Sequence, residues 1–146
     1  MSEIVQPPFA LKGLDHLVLR VRDLERIKAF YCDVLGCSLE REQGEIGLTQ
    51  LRAGRSLIDL VNLDGKLGRV GGAGPAASLD AGGRNVDHFC LVISPFDEKA
   101  IRAHLASHGI ETGEVGPRYG AEGEGASLYL DDPEGNTIEL KASLAG

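Results

Sequence analysis

One pattern occurs twice in this sequence. Residues 14–21 read LDHLVLRV and residues 86–93 read VDHFCLVI, each an apolar residue, Asp and His followed by a strand-like run. After the first run, Asp23 is placed to cap a helix whose apolar positions are Leu24, Ile27, Phe30, Tyr31, Val34 and Leu35, closed by Gly36. After the second, Ser94-Pro95 reads as a cap with proline at the first helical position. Ala100, Ile101 and Leu105 follow, and Gly109 closes the helix. Each helix leads to a strand candidate, Cys37–Arg41 or Ile110–Glu114. Each half then ends in two strands joined by a turn: Gly47–Arg52 and Ser56–Asn62 around Ala53-Gly54-Arg55, and Ala126–Leu130 and Thr137–Lys141 around Asp132–Asn136. The order is therefore βαβββ twice over. This predicts an α+β fold in which two modules, residues 12–63 and 84–142, form a cup-shaped half-open barrel. Together they make a single domain over 12–142, joined by a glycine-rich connector at 64–83. The connector lacks the G-x-x-x-x-G-K-[ST] spacing of a phosphate loop, so a flexible link is expected.

The repeat places chemistry as well as structure. Strand alternation puts Leu17, Leu19 and Val21 on the face under the helix and His16, Val18 and Arg20 on the other. In the second half His88, Cys90 and Val92 oppose Phe89, Leu91 and Ile93. The closing strands align so that Asp59 matches Glu139, each an acid in an apolar run. A pseudo-twofold relation between the modules brings these faces together around the cup, with His16, His88, Glu139 and Asp59 as candidates for its concave surface. Two imidazoles and a carboxylate are expensive to bury together unless a divalent cation compensates them. Nitrogen–nitrogen–carboxylate ligation suits Zn, Ni, Mn, Fe or Co alike. His104 and His108 share a helix four residues apart, but they have neither the His-Glu-x-x-His pattern nor a third ligand. A partly buried structural role is expected for them.

The bulk properties narrow the alternatives. A net charge of −7 over 146 residues leaves no basic face for nucleic acid. No stretch is apolar and long enough to span a bilayer, and the opening residues have no basic start followed by an apolar segment. Cys32, Cys37 and Cys90 are odd in number and lack metal-finger spacing. Packing in a reducing cytoplasm is their expected role.

The paired βαβββ modules, the two Asp-His strand starts, the Phe30-Tyr31…Leu35-Gly36 helix end and the Asp132-Pro133-Glu134-Gly135-Asn136-Thr137-Ile138-Glu139 segment resemble the vicinal-oxygen-chelate superfamily. That superfamily holds the glyoxalases, fosfomycin-resistance enzymes, bleomycin-resistance proteins and extradiol dioxygenases. The resemblance is greatest to small glyoxalase-domain proteins of unassigned substrate. It implies one divalent metal held by His16, His88 and Glu139, and a substrate that chelates it through adjacent oxygens. It also implies a homodimer whose modules pair within one chain or between two. Asp59 stands where glyoxalase I has a fourth, glutamate ligand, and with Glu139 it is a candidate catalytic residue, as ligand or displaced base. Tyr129 and Ser127 match pocket residues of the fosfomycin-resistance enzymes, although Val18 replaces a threonine of that group. Arg20 is a further candidate contact for a small-molecule substrate. The activity implied first is a lyase or isomerase of lactoylglutathione-lyase type. A non-haem dioxygenase or fosfomycin-type transferase is the alternative among enzymes, and a metal-free bleomycin-resistance-like binding protein the alternative outside them.

Overall fold

A computed structural model describes residues 7–8, 10–70 and 84–144. The first module runs β1 (His16–Val21), α1 (Leu24–Ala29), β2 (Ser38–Gln43), β3 (Leu48–Ala53) and β4 (Ser56–Asn62). The second runs β5 (Phe89–Ile93), α2 (Glu98–Ser107), β6 (Gly116–Gly120), β7 (Gly123–Asp131) and β8 (Thr137–Ala142). Each module makes an open four-stranded sheet, ordered β1-β4-β3-β2 in one and β5-β8-β7-β6 in the other. In each the first strand lies parallel to the last, and the remaining pairs are antiparallel. The predicted α+β order of two βαβββ units is the order observed. No helix among the described residues is long and apolar enough to cross a membrane.

The core follows from the alternation. Leu19 and Val21 of β1, Ile27 of α1, Leu51 and Ile58 of the first sheet join Leu105 of α2 and Leu128, Ile138 and Leu140 of the second in one buried cluster. Asp23 starts α1 by accepting a hydrogen bond from the Arg26 amide. The helix continues as one π-helical turn, Phe30–Val34, and ends at Gly36, whose φ of 84° suits glycine. His104 on α2 donates from Nε2 to the Val34 carbonyl at 2.8 Å, tying the helical layers of the two modules together.

The Asp132–Asn136 loop fastens the modules more firmly. Buried Asp132 accepts from the amides of Glu134 (2.8 Å) and Asn136 (3.0 Å) on one oxygen. Its other oxygen accepts from the Asn136 side chain and the Tyr31 hydroxyl, both at 2.8 Å. The Glu134 carboxylate crosses to the amides of Arg22 (2.8 Å) and Asp23 (2.6 Å), just before α1. Asn85 bridges β1 and the same loop, exchanging hydrogen bonds with the Arg20 main chain and donating to Asn136. The buried Asp132, Glu134 and Asn136 side chains are thereby satisfied, in part across the module boundary.

The structure departs from expectation in four places. The strand expected at Ile110–Glu114 lies at Gly116–Gly120. This is an edge strand, where Pro117 forfeits no interior ladder bond. Helix α2 is capped by Asp97, which accepts from Ala100 N, and the Ser94-Pro95 bond is cis, so Pro95 precedes the helix. The connector expected from residue 64 begins as folded chain. Residues 68–70 form a 3-10 turn packed on the end of β4, and a Cβ on Gly68 would run into the Asn62 carbonyl. Residues 71–83 of that connector lie outside the described residues. Finally, His104 and His108 are exposed rather than partly buried, their rings meeting edge to face at 5.0 Å.

Candidate functional site

The repeat builds two half-sites. In the first, β1 places His16 beside β4, where Val18 registers with Asp59. His16 Nδ1 is hydrogen bonded to Asp15 at 2.8 Å, and its Nε2 faces Asp59 at 4.0 Å. In the second, Cys90 registers with Glu139. His88 Nδ1 is hydrogen bonded to Asp87 at 2.7 Å, and its Nε2 faces Glu139 at 3.5 Å. The two arrangements follow one pattern, with Glu139 a methylene longer than Asp59 and closer to its histidine. In each, the aspartate preceding the histidine holds one ring nitrogen and so turns the other toward an acid on the neighbouring strand. A carboxylate on Nδ1 fixes the tautomer that a metal-binding Nε2 requires. The donor chemistry therefore fits a divalent cation.

Both acids are withdrawn from solvent: Asp59 is 4% exposed and Glu139 6%. Asp59 is thus no surface carboxylate. Gln50, its register partner on β3, donates from Nε2 to both Asp59 oxygens at 3.2 Å. The side chain of His16 stays 47% exposed, and its pKa is raised by the hydrogen bond to Asp15, then by the charge of Asp59. Within one chain no group of three His, Cys, Asp or Glu side chains able to hold a metal forms among the described residues. The structure brings His88 to Glu139 and His16 to Asp59; it does not gather His16, His88 and Glu139 in a single protomer.

Tyr129 is the register partner of Glu139 on β7, and its ring meets that of His88 edge to face at 5.3 Å. Partial burial raises its pKa, as do the charge of Glu139 and hydrogen bonding to it. Ser127 is fully buried and accepts from Arg118 at 2.8 Å. It therefore sits behind the arginine and holds it in place. Arg20 spends its guanidinium on the Gly68 carbonyl, from Nε at 3.2 Å and from a terminal nitrogen at 2.7 Å. It braces the end of the first module at the start of the connector.

Three polar residues of these faces were not anticipated from sequence: Gln50, Arg118 and Lys141. Lys141 stands two residues beyond Glu139 on the same strand, so period-two alternation alone would have found it. Gln50 and Arg118 become neighbours of the site only through strand register, and β2 is offset against β3 by an irregularity between Leu39 and Arg41. Arg118 also lies in the strand that the structure places at Gly116–Gly120 and not at Ile110–Glu114.

Residues 13–140 match the family model described as the glyoxalase/bleomycin resistance protein/dioxygenase superfamily. The chain belongs to this superfamily. It is 31% identical over 139 residues to a glyoxalase domain-containing protein of Mycosarcoma maydis, an alignment covering 94% of this chain and 72% of that one. Among solved structures it is similar to a virulence protein of Salmonella typhimurium, with a TM-score of 0.74 and 25% identity over 93% of this chain and all of the other. It is also similar to an integron cassette protein from the mobile metagenome of V. cholerae, with a TM-score of 0.71 and 26% identity over 92% of this chain and 97% of the other.

Proposed function

We propose that this protein is a metal-dependent enzyme of glyoxalase type, a lyase or isomerase whose small-molecule substrate binds through two adjacent oxygens. His16, His88 and Glu139 are its metal ligands. The observation that carries this reading is the matched geometry of the half-sites, each with a histidine oriented by the preceding aspartate toward a buried acid. Zn, Ni, Mn, Fe or Co in this set would supply Lewis-acid polarisation of the substrate's oxygens. The chain's own residues do the rest. Asp15 and Asp87 hold the imidazoles, and Gln50 keeps Asp59 turned toward His16, as an additional ligand or a base. Tyr129 holds a phenol proton beside Glu139.

The working unit in this reading is a homodimer. β1 and β5 are both outer strands of their sheets, and Val18, Cys90 and Val92 beside the two histidines are exposed. Pairing β1 of one protomer with β5 of its partner would cover these faces and bring His16 to His88 and Glu139. The family match over 13–140 supports treating 12–142 as one domain.

The test is metal content of untagged protein purified without chelators, followed by subunit mixing. Wild type should carry near-stoichiometric metal, and His16→Ala and His88→Ala should each lose it. Mixed and re-equilibrated, these two variants should regain up to one site per mixed dimer, because an intact histidine of each kind meets across the junction. Metal absent from wild type, with no uptake of Ni(II), Mn(II), Fe(II) or Zn(II), would overturn the enzyme reading and leave sequestration of a small molecule as the function. Metal present without recovery on mixing would place the set within one chain.

A further inference from the structure

The second module carries two cations on the face that bears His88 and Glu139, and neither is in an ion pair among the described residues; Glu139, the acid of that face, faces His88 instead. Register and alternation put Glu139 and Lys141 of β8, Tyr129 and Ser127 of β7 and Arg118 of β6 on this one face. Lys141 is only 4% exposed, and no described residue accepts a hydrogen bond or forms an ion pair with its ammonium. Its stem crosses a floor of glycine. A Cβ on Gly120 would stand 3.1 Å from Lys141 Cε, and one on Gly125 would stand 3.3 Å from Lys141 Nζ. Gly125 is the register partner of Arg118, so the ammonium lies against the strand pair that carries the arginine.

Arg118 is held without being neutralised. One terminal nitrogen donates to the Ser127 carbonyl at 2.7 Å and to the Ser127 hydroxyl at 2.8 Å, and the guanidinium carbon lies 4.6 Å from the centre of the Tyr129 ring. Those two bonds use both hydrogens of that nitrogen. The three remaining N–H groups have no acceptor among the described residues. Stacking on Tyr129 fixes the plane of the guanidinium and leaves its charge available.

Two cations on one face, neither of them in an ion pair and one nearly buried, are unfavourable by themselves, and a bound anion relieves both. That they share one face in a chain of net charge −7 argues against a general attraction for anions and for a local one. We propose that Lys141 and Arg118 form an oxyanion-binding floor, and that the substrate is a small organic anion whose carboxylate or phosphoryl group docks there. This rests on the proposed use of the same face as the substrate site. Tyr129 lies between the floor and His88, so the acidic group sits about one aromatic ring away from the oxygens at Glu139.

The test needs no metal. The intact protein is kept in chelator at constant ionic strength and titrated separately with inorganic phosphate and with malonate. Arginine Nε–Hε resonances are followed, with Arg118 identified by its absence in Arg118→Gln. At least one probe should shift the Arg118 signal. Lys141→Met keeps the apolar stem and should weaken the binding read from the Arg118 signal about tenfold or more, as expected for losing a charge-assisted hydrogen bond; Arg118→Gln, titrated by calorimetry beside wild type, should show a loss of the same order. Lys99→Met, on the exposed side of α2, should titrate as wild type. Preference for phosphate or malonate separates a phosphorylated substrate from a carboxylic one. Absence of any shift, or wild-type titration by Lys141→Met and Arg118→Gln, would overturn the proposal. Because Lys141→Met should retain full metal content, a failure of the metal reading and a failure of the anion reading would be seen in different measurements.

Discussion

The two half-sites share a frame and differ in everything placed around it. In both, an Asp-His pair opens the first strand and an acid lies on the last, yet the register partner of that acid is Gln50 in one half and Tyr129 in the other. Where the first module has Val61 beyond its acid, the second has Lys141. Where the first has Leu48, the second has Ser127 with Arg118 upon it. The turns between the last two strands diverge too. A tight Gly54-Arg55 turn closes the first hairpin, whereas the second carries the five-residue loop that fastens the modules. The two halves keep in common the geometry that orients an imidazole and differ at the neighbouring positions. In the proposed enzyme both halves contribute to the metal, and the second alone recognises the rest of the ligand.

That asymmetry can be broken by experiment. The largest effect should come from Glu139→Ala, whose loss of metal affinity should exceed the roughly 100-fold upper range for removing an outer-sphere partner. Asp59→Asn should lower affinity only about tenfold; equal losses by competition titration would make the halves equivalent. Next, Asp132→Ala should destabilise the fold by roughly 3 kcal/mol in urea denaturation, because it strips four hydrogen bonds and strands the buried Tyr31 hydroxyl. Arg55→Ala in the matching turn of the first half should stay within about 0.5 kcal/mol.

Asp87→Asn and Asp15→Asn test whether both histidines need their orienting carboxylate, each with an expected fall in metal affinity of roughly 10- to 100-fold. The smallest effect concerns pH. Burial pushes the Cys37 thiol up to about 11 and holds the Tyr31 phenol well above its ordinary value. The unfolded chain releases these protons first, so the contribution of these two groups is full below about pH 8 and is lost as pH rises toward the folded values. Cys37 alone should contribute about 1 kcal/mol of that loss at pH 10. Cys37→Ala should flatten the decline relative to its own neutral-pH stability; an unchanged slope would remove the thiol from the account.

The fold was legible because the chain states its plan twice: matched strand starts, helix-closing glycines and a paired acid are local signals that each half confirms in the other. What escaped was either masked by composition or set by register. Gly116-Pro117-Arg118-Tyr119-Gly120 reads as a turn, yet an edge strand tolerates both its proline and its glycines. Ser94-Pro95 imitates a helix start, but Asp97 supplies the cap. The histidines and acids of the site could be read from alternation within single strands. Gln50 and Arg118 required knowing which residue of one strand stands beside which residue of another, and that is set by the pairing of strands and not by the pattern within one. Nor could the sequence say that a single protomer would keep His16 apart from Glu139, since alternation fixes faces and not the packing of one module on the other.

The Asp-Pro-Glu-Gly-Asn loop is the stretch by which this chain is most readily recognised, and all of its side-chain hydrogen bonds described above hold the loop itself, Tyr31, Asn85 and the approach to α1. The signature is thus a record of carpentry. Two genes that share it declare that their halves are mounted alike and disclose nothing of what either cup contains. A label transferred on its strength travels safely as architecture and arrives empty as biochemistry; the information that separates one such protein from another is written in the positions facing Glu139.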